Sequence, residues 1–122
     1  MPKTVLFVDD DELSCARVSA ALEKAGFAVM TARDATQAME CADGMDLGLL
    51  ILDLNLKGES GLMLMKFLKQ NHPGIPVLLF TGLDHDDASI QSMLSMGADR
   101  YLPKKNLQQL IVAVGGYLKA SD

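Results

Sequence analysis

Two uninterrupted apolar runs in the middle of the chain limit the folds that this sequence can adopt. Residues 49–52 and 77–80 contain no charged residue, and neither run alternates between apolar and polar positions. A strand that is apolar throughout is buried on both faces, as happens when helices cover both sides of a parallel sheet. These runs therefore predict an α/β fold.

The rest of the chain alternates between apolar strands and amphipathic helices. The pattern predicts strands near 4–9, 27–31, 47–53, 75–80 and 99–102, and helices near 12–25, 35–43, 60–71, 86–96 and 106–119. Gly26 and Gly97 follow predicted helices as C′ residues, and Pro73 stops the third helix. Five strand–helix units in 122 residues predict one doubly wound domain over residues 1–122.

Composition argues against several classes of function. Lys plus Arg total 11 and Asp plus Glu total 16, so the net charge is −5. An acidic chain without a basic cluster is a poor binder of nucleic acid or of an anionic membrane. No apolar stretch approaches the roughly 20 residues that span a bilayer, and no signal peptide is visible. We therefore expect a cytoplasmic domain that binds neither nucleic acid nor membrane, with Cys15 and Cys41 as free thiols.

Acidic residues follow the ends of two predicted strands. Asp9 ends the first predicted strand, Asp10 and Asp11 follow it, and Asp53 ends the third. The ligand crevice of a doubly wound fold lies at the carboxyl ends of its strands, so these acids converge if the strands are neighbours. Two carboxylates about 4 Å apart repel by roughly 4 kcal/mol, which a hard divalent cation relieves. We interpret Asp11 and Glu12 as the start of the first helix instead.

Further motifs lie at the same edge of the predicted sheet. Thr81-Gly82 follows the fourth strand, and residues 97–104 read Gly-Ala-Asp-Arg-Tyr-Leu-Pro-Lys. With Val8-Asp9-Asp10, Asp53 and Gly61, these motifs resemble those of response-regulator receiver domains of two-component systems, of the chemotaxis-regulator type. The resemblance covers essentially the whole chain. It implies a flavodoxin-like, five-stranded parallel sheet of order 2-1-3-4-5 flanked by five helices.

The resemblance also implies a phosphorylation-activated switch in a two-component or phosphorelay system. Asp53 would accept a phosphoryl group from a phosphohistidine and become an aspartyl phosphate. Mg²⁺ would be the cofactor, held directly by Asp10 and Asp53, by the backbone carbonyl of Asn55, and by Asp9 through a water molecule. Lys104 would pair with Asp53 before phosphorylation and with a phosphoryl oxygen afterwards.

The switch implied by the resemblance begins at Thr81. Its hydroxyl would donate to a phosphoryl oxygen, and Tyr101 would rotate inward as the Thr81 loop moves. The surface of the fourth helix, fifth strand and fifth helix would then contact a downstream effector protein or domain. The phosphodonor would be a sensor histidine kinase or a histidine phosphotransfer protein. Such a domain catalyses its own phosphorylation and dephosphorylation and is not an enzyme acting on a free substrate.

The sequence departs from the family pattern in the loops around the site. Lys105 stands where a proline usually follows the lysine, so we expect a trans Lys104–Lys105 bond, because a cis bond there costs about 2.5–4 kcal/mol. Lys57 replaces a proline four residues after Asp53. Leu83 occupies a position from which a polar side chain could orient a hydrolytic water, and leucine cannot do so.

Three other functions remain open from the residues alone. An aspartate-nucleophile, Mg²⁺-dependent phosphohydrolase fits Asp9-x-Asp11 after the first strand, but it gives Asp53 and Lys104 no role. A flavin carrier of the same fold needs a phosphate-binding loop where this chain has three acids. A degenerate receiver would only bind partners and would never accept phosphate on Asp53.

Overall fold

The sheet at the centre of the protein is parallel throughout. We analysed a computed structural model, which describes residues 3–56, 59–82 and 86–118. Its five main strands are β1 (Thr4–Val8), β2 (Ala28–Ala32), β3 (Leu47–Leu52), β4 (Val77–Thr81) and β5 (Arg100–Pro103). Their order is β2-β1-β3-β4-β5. The doubly wound, flavodoxin-like fold expected from the sequence is confirmed.

Five helices alternate with these strands. They are α1 (Glu12–Lys24), α2 (Ala35–Ala42), α3 (Gly61–Asn71), α4 (Asp87–Ser95) and α5 (Leu107–Tyr117). Gly26 and Gly97 follow α1 and α4 with φ of 98° and 125°, the left-handed conformation that glycine adopts without strain. No helix in the described part of the chain is long and apolar enough to cross a membrane.

Predicted boundaries lie within two residues of the observed ones. One of the two-residue differences is at β4, which is expected from residue 75 and begins at Val77. Pro76 has no N–H to donate to a neighbouring strand, which explains the later start. The N–H of Val77 instead donates to the Asp99 carboxylate at 2.7 Å.

Two separate apolar cores cover the two faces of the sheet. On one face α2, α3 and α4 pack through residues such as Ala38, Leu64 and Met93. On the other face α1 and α5 pack through residues such as Val18 and Leu110. Successive residues of β1, β3 and β4 enter opposite cores, so these strands are buried on both faces. This is the arrangement that the uninterrupted apolar runs predicted.

A short antiparallel ribbon between β3 and α3 was not predicted. Asn55–Leu56 pairs with Glu59–Ser60. Two-residue strands are too short to show a period in the sequence, so pattern analysis had no signal for them. Lys57, which stands where the family pattern has a proline, lies outside the described ranges.

Replacement by alanine should have opposite effects on the free energy of unfolding at Gly48 and at Gly116. A Cβ at Gly48 would lie 2.6 Å from the Lys3 Cβ and 2.7 Å from the Leu118 Cδ2, whereas a Cβ at Gly116 meets nothing within 4 Å. We expect Gly48→Ala to lower the free energy of unfolding by about 1–3 kcal/mol through overpacking. Gly116→Ala should raise it by up to about 1 kcal/mol, because alanine favours the helix. Urea unfolding of both variants tests this, and shifts of the same sign would contradict it.

Candidate functional site

The two most buried acids of the site lie side by side because their strands are neighbours. Asp9 follows β1 and Asp53 follows β3, and the last residues of these strands, Val8 and Leu52, lie opposite each other. The N–H of Asp53 donates to the Val8 carbonyl at 2.9 Å. Asp9 is fully buried and Asp53 is 5% exposed. The backbone therefore fixes two carboxylates at the carboxyl edge of the sheet.

Lys104 joins these two carboxylates. It follows β5, and its backbone N–H donates to the Thr81 carbonyl at 2.8 Å, which ties the ends of β4 and β5 together. Its Nζ donates to the Asp9 Oδ2 and also to the Asp53 Oδ2, the latter at 3.0 Å. The contact with Asp53 was expected from the resemblance. The contact with Asp9 was not, because the sequence did not indicate which acid the lysine would reach.

Burial and the hydrogen bonds between Lys104 and the acids act in opposite directions on the pKa of Asp9, and also on that of Lys104. Burial raises the pKa of Asp9, although the hydrogen bond from Lys104 opposes that change. Burial alone would lower the pKa of Lys104, but hydrogen bonds to Asp9 and Asp53 outweigh it and raise that pKa. One lysine thus faces two acids, of which Asp9 is fully buried and Asp53 is 5% exposed, and half-buried Asp10 follows Asp9 in the sequence. The site has more negative than positive charge, which favours a cation.

The oxygen donors of this edge suit Mg²⁺. In the described part of the chain, no group of three or more His, Cys, Asp and Glu side chains is placed to hold a metal. The expected set needs only two direct carboxylates, Asp10 and Asp53, with a backbone carbonyl and water completing the shell. Mg²⁺ usually keeps several water ligands, so this small set of hard oxygen donors fits it.

Asp11 begins helix α1, which confirms its interpretation from the sequence. Its carboxylate accepts from the Leu13 N–H at 3.2 Å and from the Ser14 hydroxyl at 3.0 Å. Its own N–H donates to the Asp9 Oδ1 at 2.9 Å. Glu12, in the first turn, pairs with Arg33 at 3.8 Å on the surface. The three consecutive aspartates therefore occupy different environments.

The contribution of the Asp11 cap to the stability of the protein should depend on pH. The hydrogen bonds from Ser14 and Leu13 lower the pKa of Asp11. Its contribution to stability is therefore complete above its usual pKa of 3.8 and is lost as the pH falls through the lowered value. We expect Asp11→Ala to lower the melting temperature at pH 7, whereas Asp11→Asn, which keeps a capping oxygen, should change it little. Equal losses for the two variants would contradict the capping role.

Three further residues of the expected site lie on β4, on β5 and on the short ribbon after β3. Thr81 is fully buried at the end of β4. Tyr101 is half-buried on β5, where it packs against the core on the α2–α4 side of the sheet. The backbone of Asn55 belongs to the short ribbon after β3. The expected effect of Leu83 concerns a residue outside the described ranges.

Gly61 allows α3 to begin close to Asp53. A Cβ at this position would lie 3.0 Å from the Leu54 Cα and 3.2 Å from the Asp53 carbonyl oxygen. Both neighbours are backbone atoms, which cannot move aside as the end of a flexible side chain can. The sequence marked Gly61 only as part of a motif. The structure supplies the physical reason, which is the close approach of α3 to the backbone that carries Asp53.

The Lys104–Lys105 peptide bond is trans, as predicted, since the described residues contain no cis peptide bond. The N–H of Lys105 donates to the Pro103 carbonyl at 2.8 Å. A proline at position 105 has no N–H and could not make this bond. The lysine that departs from the family pattern therefore forms a tight turn of its own.

Cys15 is a neighbour of the site that sequence reasoning did not place there. Its Sγ donates to the Asp9 backbone carbonyl at 3.3 Å. Burial, with a further contribution from the charge of Asp9, raises the pKa of this thiol to about 11. Cys15 is thus a protonated packing residue under the site. Both cysteines are free thiols, as expected, although Cys41 is only half-buried.

A doubly wound sheet with acids and a lysine at its carboxyl edge defines the receiver class of signalling domains. The family described as the response regulator receiver domain matches residues 5–115, and the chain belongs to that family. Receiver domains are switches in two-component systems and are mostly not enzymes. This agrees with the resemblance stated from the motifs.

Several relatives are named as transcriptional regulatory proteins. The probable transcriptional regulatory protein TcrX of Mycobacterium tuberculosis is 33% identical over 119 residues, which are 97% of this chain and 50% of TcrX. The transcriptional regulatory protein CpxR of Escherichia coli K12 is 33% identical over 118 residues, 96% of this chain and 50% of CpxR. The chain thus spans about half the length of these relatives.

Solved structures share the fold closely. Chemotaxis protein CheY4 of Vibrio cholerae superposes with a TM-score of 0.88 at 26% identity, covering 97% of this chain and 100% of that one. A response regulator of Burkholderia pseudomallei, solved with a phosphorylated aspartic acid and a calcium ion, gives a TM-score of 0.83 at 28% identity. The match covers 96% of this chain and 67% of that one.

Proposed function

We propose that this domain is a Mg²⁺-dependent switch that accepts a phosphoryl group on Asp53. The observation that supports this most directly is the Lys104 amine, which lies between the Asp9 and Asp53 carboxylates at the carboxyl edge of the sheet. The phosphodonor would be the phosphohistidine of a sensor histidine kinase or of a histidine phosphotransfer protein. The domain would act in the cytoplasm, without binding nucleic acid or membrane itself.

The chemistry proposed for Asp53 is a displacement at phosphorus. A carboxylate oxygen forms a bond to phosphorus while the bond to the histidine nitrogen breaks, and the imidazole leaves with that electron pair. Lys104 then donates to a phosphoryl oxygen, which keeps its positive charge paired. Mg²⁺, held by Asp10, Asp53, the Asn55 carbonyl and a water on Asp9, would offset the phosphoryl charge.

The signal would leave the site through Thr81. Its hydroxyl would donate to another phosphoryl oxygen, because β4 ends at this residue beside the β3 end that carries Asp53. Tyr101 lies on the adjacent strand β5 and would rotate inward as the Thr81 loop moves. The surface of α4, β5 and α5 would change as a result and bind an effector protein or domain.

A phosphohydrolase that uses Asp9-x-Asp11 gains no support from the geometry. The Asp11 carboxylate caps α1 through Leu13 and Ser14, so it is committed to the helix start. The Asp9 carboxylate is held by Lys104. A receiver gives both Asp53 and Lys104 a role, and the phosphohydrolase does not.

Beryllofluoride, which mimics an acyl phosphate, tests the proposal. We expect wild-type protein with Mg²⁺ to show large amide shift changes near residues 53, 81 and 101 in an NMR titration. Asp53→Asn, which keeps the size of the side chain, should show none while retaining wild-type circular dichroism. If both proteins respond alike, or neither responds, Asp53 is not the phosphoacceptor.

The residue at position 83 predicts the lifetime of the phosphorylated state. Leucine cannot orient a water for hydrolysis of the acyl phosphate, so we expect a slow loss of phosphate from Asp53. Leu83→Glu should shorten the half-life about tenfold, because a well-positioned general base contributes about 10²–10⁴-fold and a newly introduced one contributes less. Leu83→Met, which keeps the position apolar, is the control and should leave the half-life unchanged. An unchanged half-life for Leu83→Glu would count against this assignment.

A further inference from the structure

A concave surface lies between α1 and the start of α5. It is a cavity of about 630 Å³. Ligand cavities typically measure about 300–1,000 Å³, so it is large enough for a small organic molecule. Its apolar wall contains Val18 and Phe80, which are buried in the core, and half-buried Leu107. The proposed phosphorylation of Asp53 does not use this wall.

The same cavity carries positive charge in a chain whose net charge is −5. Arg17 and Lys105 line it, together with Lys104. The Lys104 amine is engaged by the two acids of the phosphorylation site. Within the described ranges Arg17 and Lys105 form no ion pair, so two cations are available to a ligand.

One acid opposes an anion in this cavity. Asp11 is part of the lining, but its carboxylate oxygens accept from the Leu13 N–H and the Ser14 hydroxyl. Those bonds direct the Asp11 charge towards the start of α1. The two available cations still exceed this single acid, so the balance of charge in the cavity favours an anion over a cation.

We propose that this cavity binds a small organic carboxylate with an apolar body. The planar guanidinium of Arg17 matches a carboxylate with two parallel hydrogen bonds, and Lys105 adds a second positive charge. The apolar part of the ligand packs against half-buried Leu107, over a floor formed by the buried side chains of Val18 and Phe80. Binding needs both the positive charges and the apolar contact, because an exposed ion pair alone contributes at most about 1 kcal/mol. Binding at this place does not depend on phosphorylation of Asp53.

NMR titration of the full chain, without Mg²⁺ or a phosphodonor, separates the contribution of charge to binding from that of apolar contact. The probes are benzoate, acetate (the charge without the ring) and benzyl alcohol (the ring without the charge). We expect benzoate to shift amide signals of α1 and of residues 104–108. It should bind about tenfold more tightly than either control, equivalent to about 1.4 kcal/mol. Equal binding of all three probes, or shifts elsewhere in the protein, would overturn the proposal.

A double charge variant, with a single charge variant on the same helix as control, completes the test. The double variant Arg17→Ala/Lys105→Ala should weaken benzoate binding about tenfold. Lys24→Ala removes a positive charge from the same helix outside the cavity and should leave benzoate affinity unchanged. All three residues are exposed, so the variants should fold, which thermal melting verifies. Equal affinity in the double variant and wild type would overturn the proposal, and failure of Asp53 phosphorylation would not.

Discussion

Lys104→Met is expected to lower the free energy of unfolding by about 2–4 kcal/mol at neutral pH, because it removes the cation from a buried ion pair. The substitution leaves Asp9, which is fully buried, beside Asp53, which is 5% exposed. Two carboxylates then repel each other in a region that water scarcely reaches. The Lys104 side chain itself is 20% exposed, which places the expected loss at the lower part of the range for buried pairs.

The stability deficit of Lys104→Met should depend on pH in a defined direction. The pKa of Asp9 is raised above 3.8 by burial, and Lys104 opposes that change, so the variant raises it further. A raised pKa in the folded state means that folding is favoured when the group is protonated. The deficit should therefore shrink as the pH falls through the raised pKa of Asp9. In wild type, the contribution of Lys104 is complete below pH 10.5 and falls as the pH rises through its raised pKa.

Urea unfolding at several pH values measures this effect, and the neighbouring lysine supplies the control. Lys105→Met removes the same charge from the next position, where the side chain contacts neither acid. We expect its stability to stay within about 0.5 kcal/mol of wild type, as for most surface substitutions. An equal loss for the two variants, or a loss at position 104 that does not vary with pH, would show that the buried pair is not the cause.

The fold could be predicted from the sequence because each strand and helix shows its own apolar pattern over a few residues, and the sheet is built from short strand–helix units. Continuous apolarity in β3 and β4 indicated burial on both faces, and the two cores bear this out. The alternation does not determine which strands are neighbours. The strand order came from the family resemblance, and the meeting of Asp9 with Asp53 depends on that order.

Contacts between distant parts of the chain were beyond pattern analysis. Lys104 is separated from Asp9 by 95 positions, and nothing in the local sequence indicates that its amine reaches this acid as well as Asp53. Gly48 requires its lack of a side chain because Lys3 and Leu118 lie against it. Such constraints depend on the assembled core, so they appear only once the strands and helices are placed.

Asp10→Asn is expected to weaken Mg²⁺ binding about tenfold or more, because the affinity of oxygen-ligand sites follows the number of charged ligands. Asn at position 10 keeps the shape of the side chain and removes one negative charge from a proposed direct ligand. Asp11→Asn makes the same change one residue later, where the carboxylate caps α1. We expect Mg²⁺ affinity to fall only slightly in that variant, through the loss of long-range attraction alone.

Comparing Asp10→Asn with Asp11→Asn distinguishes direct ligation of Mg²⁺ from long-range electrostatic attraction of Mg²⁺. Both lose one unit of negative charge and differ by one position, so long-range attraction for Mg²⁺ falls by a similar amount in each. The chain has no tryptophan to report binding by fluorescence, so calorimetry of Mg²⁺ binding is the measurement. Equal affinities in the two variants would mean that the acidic cluster attracts Mg²⁺ without Asp10 as a ligand. A large loss confined to Asp10→Asn would support direct ligation, since only a bound carboxylate distinguishes neighbouring positions in this way.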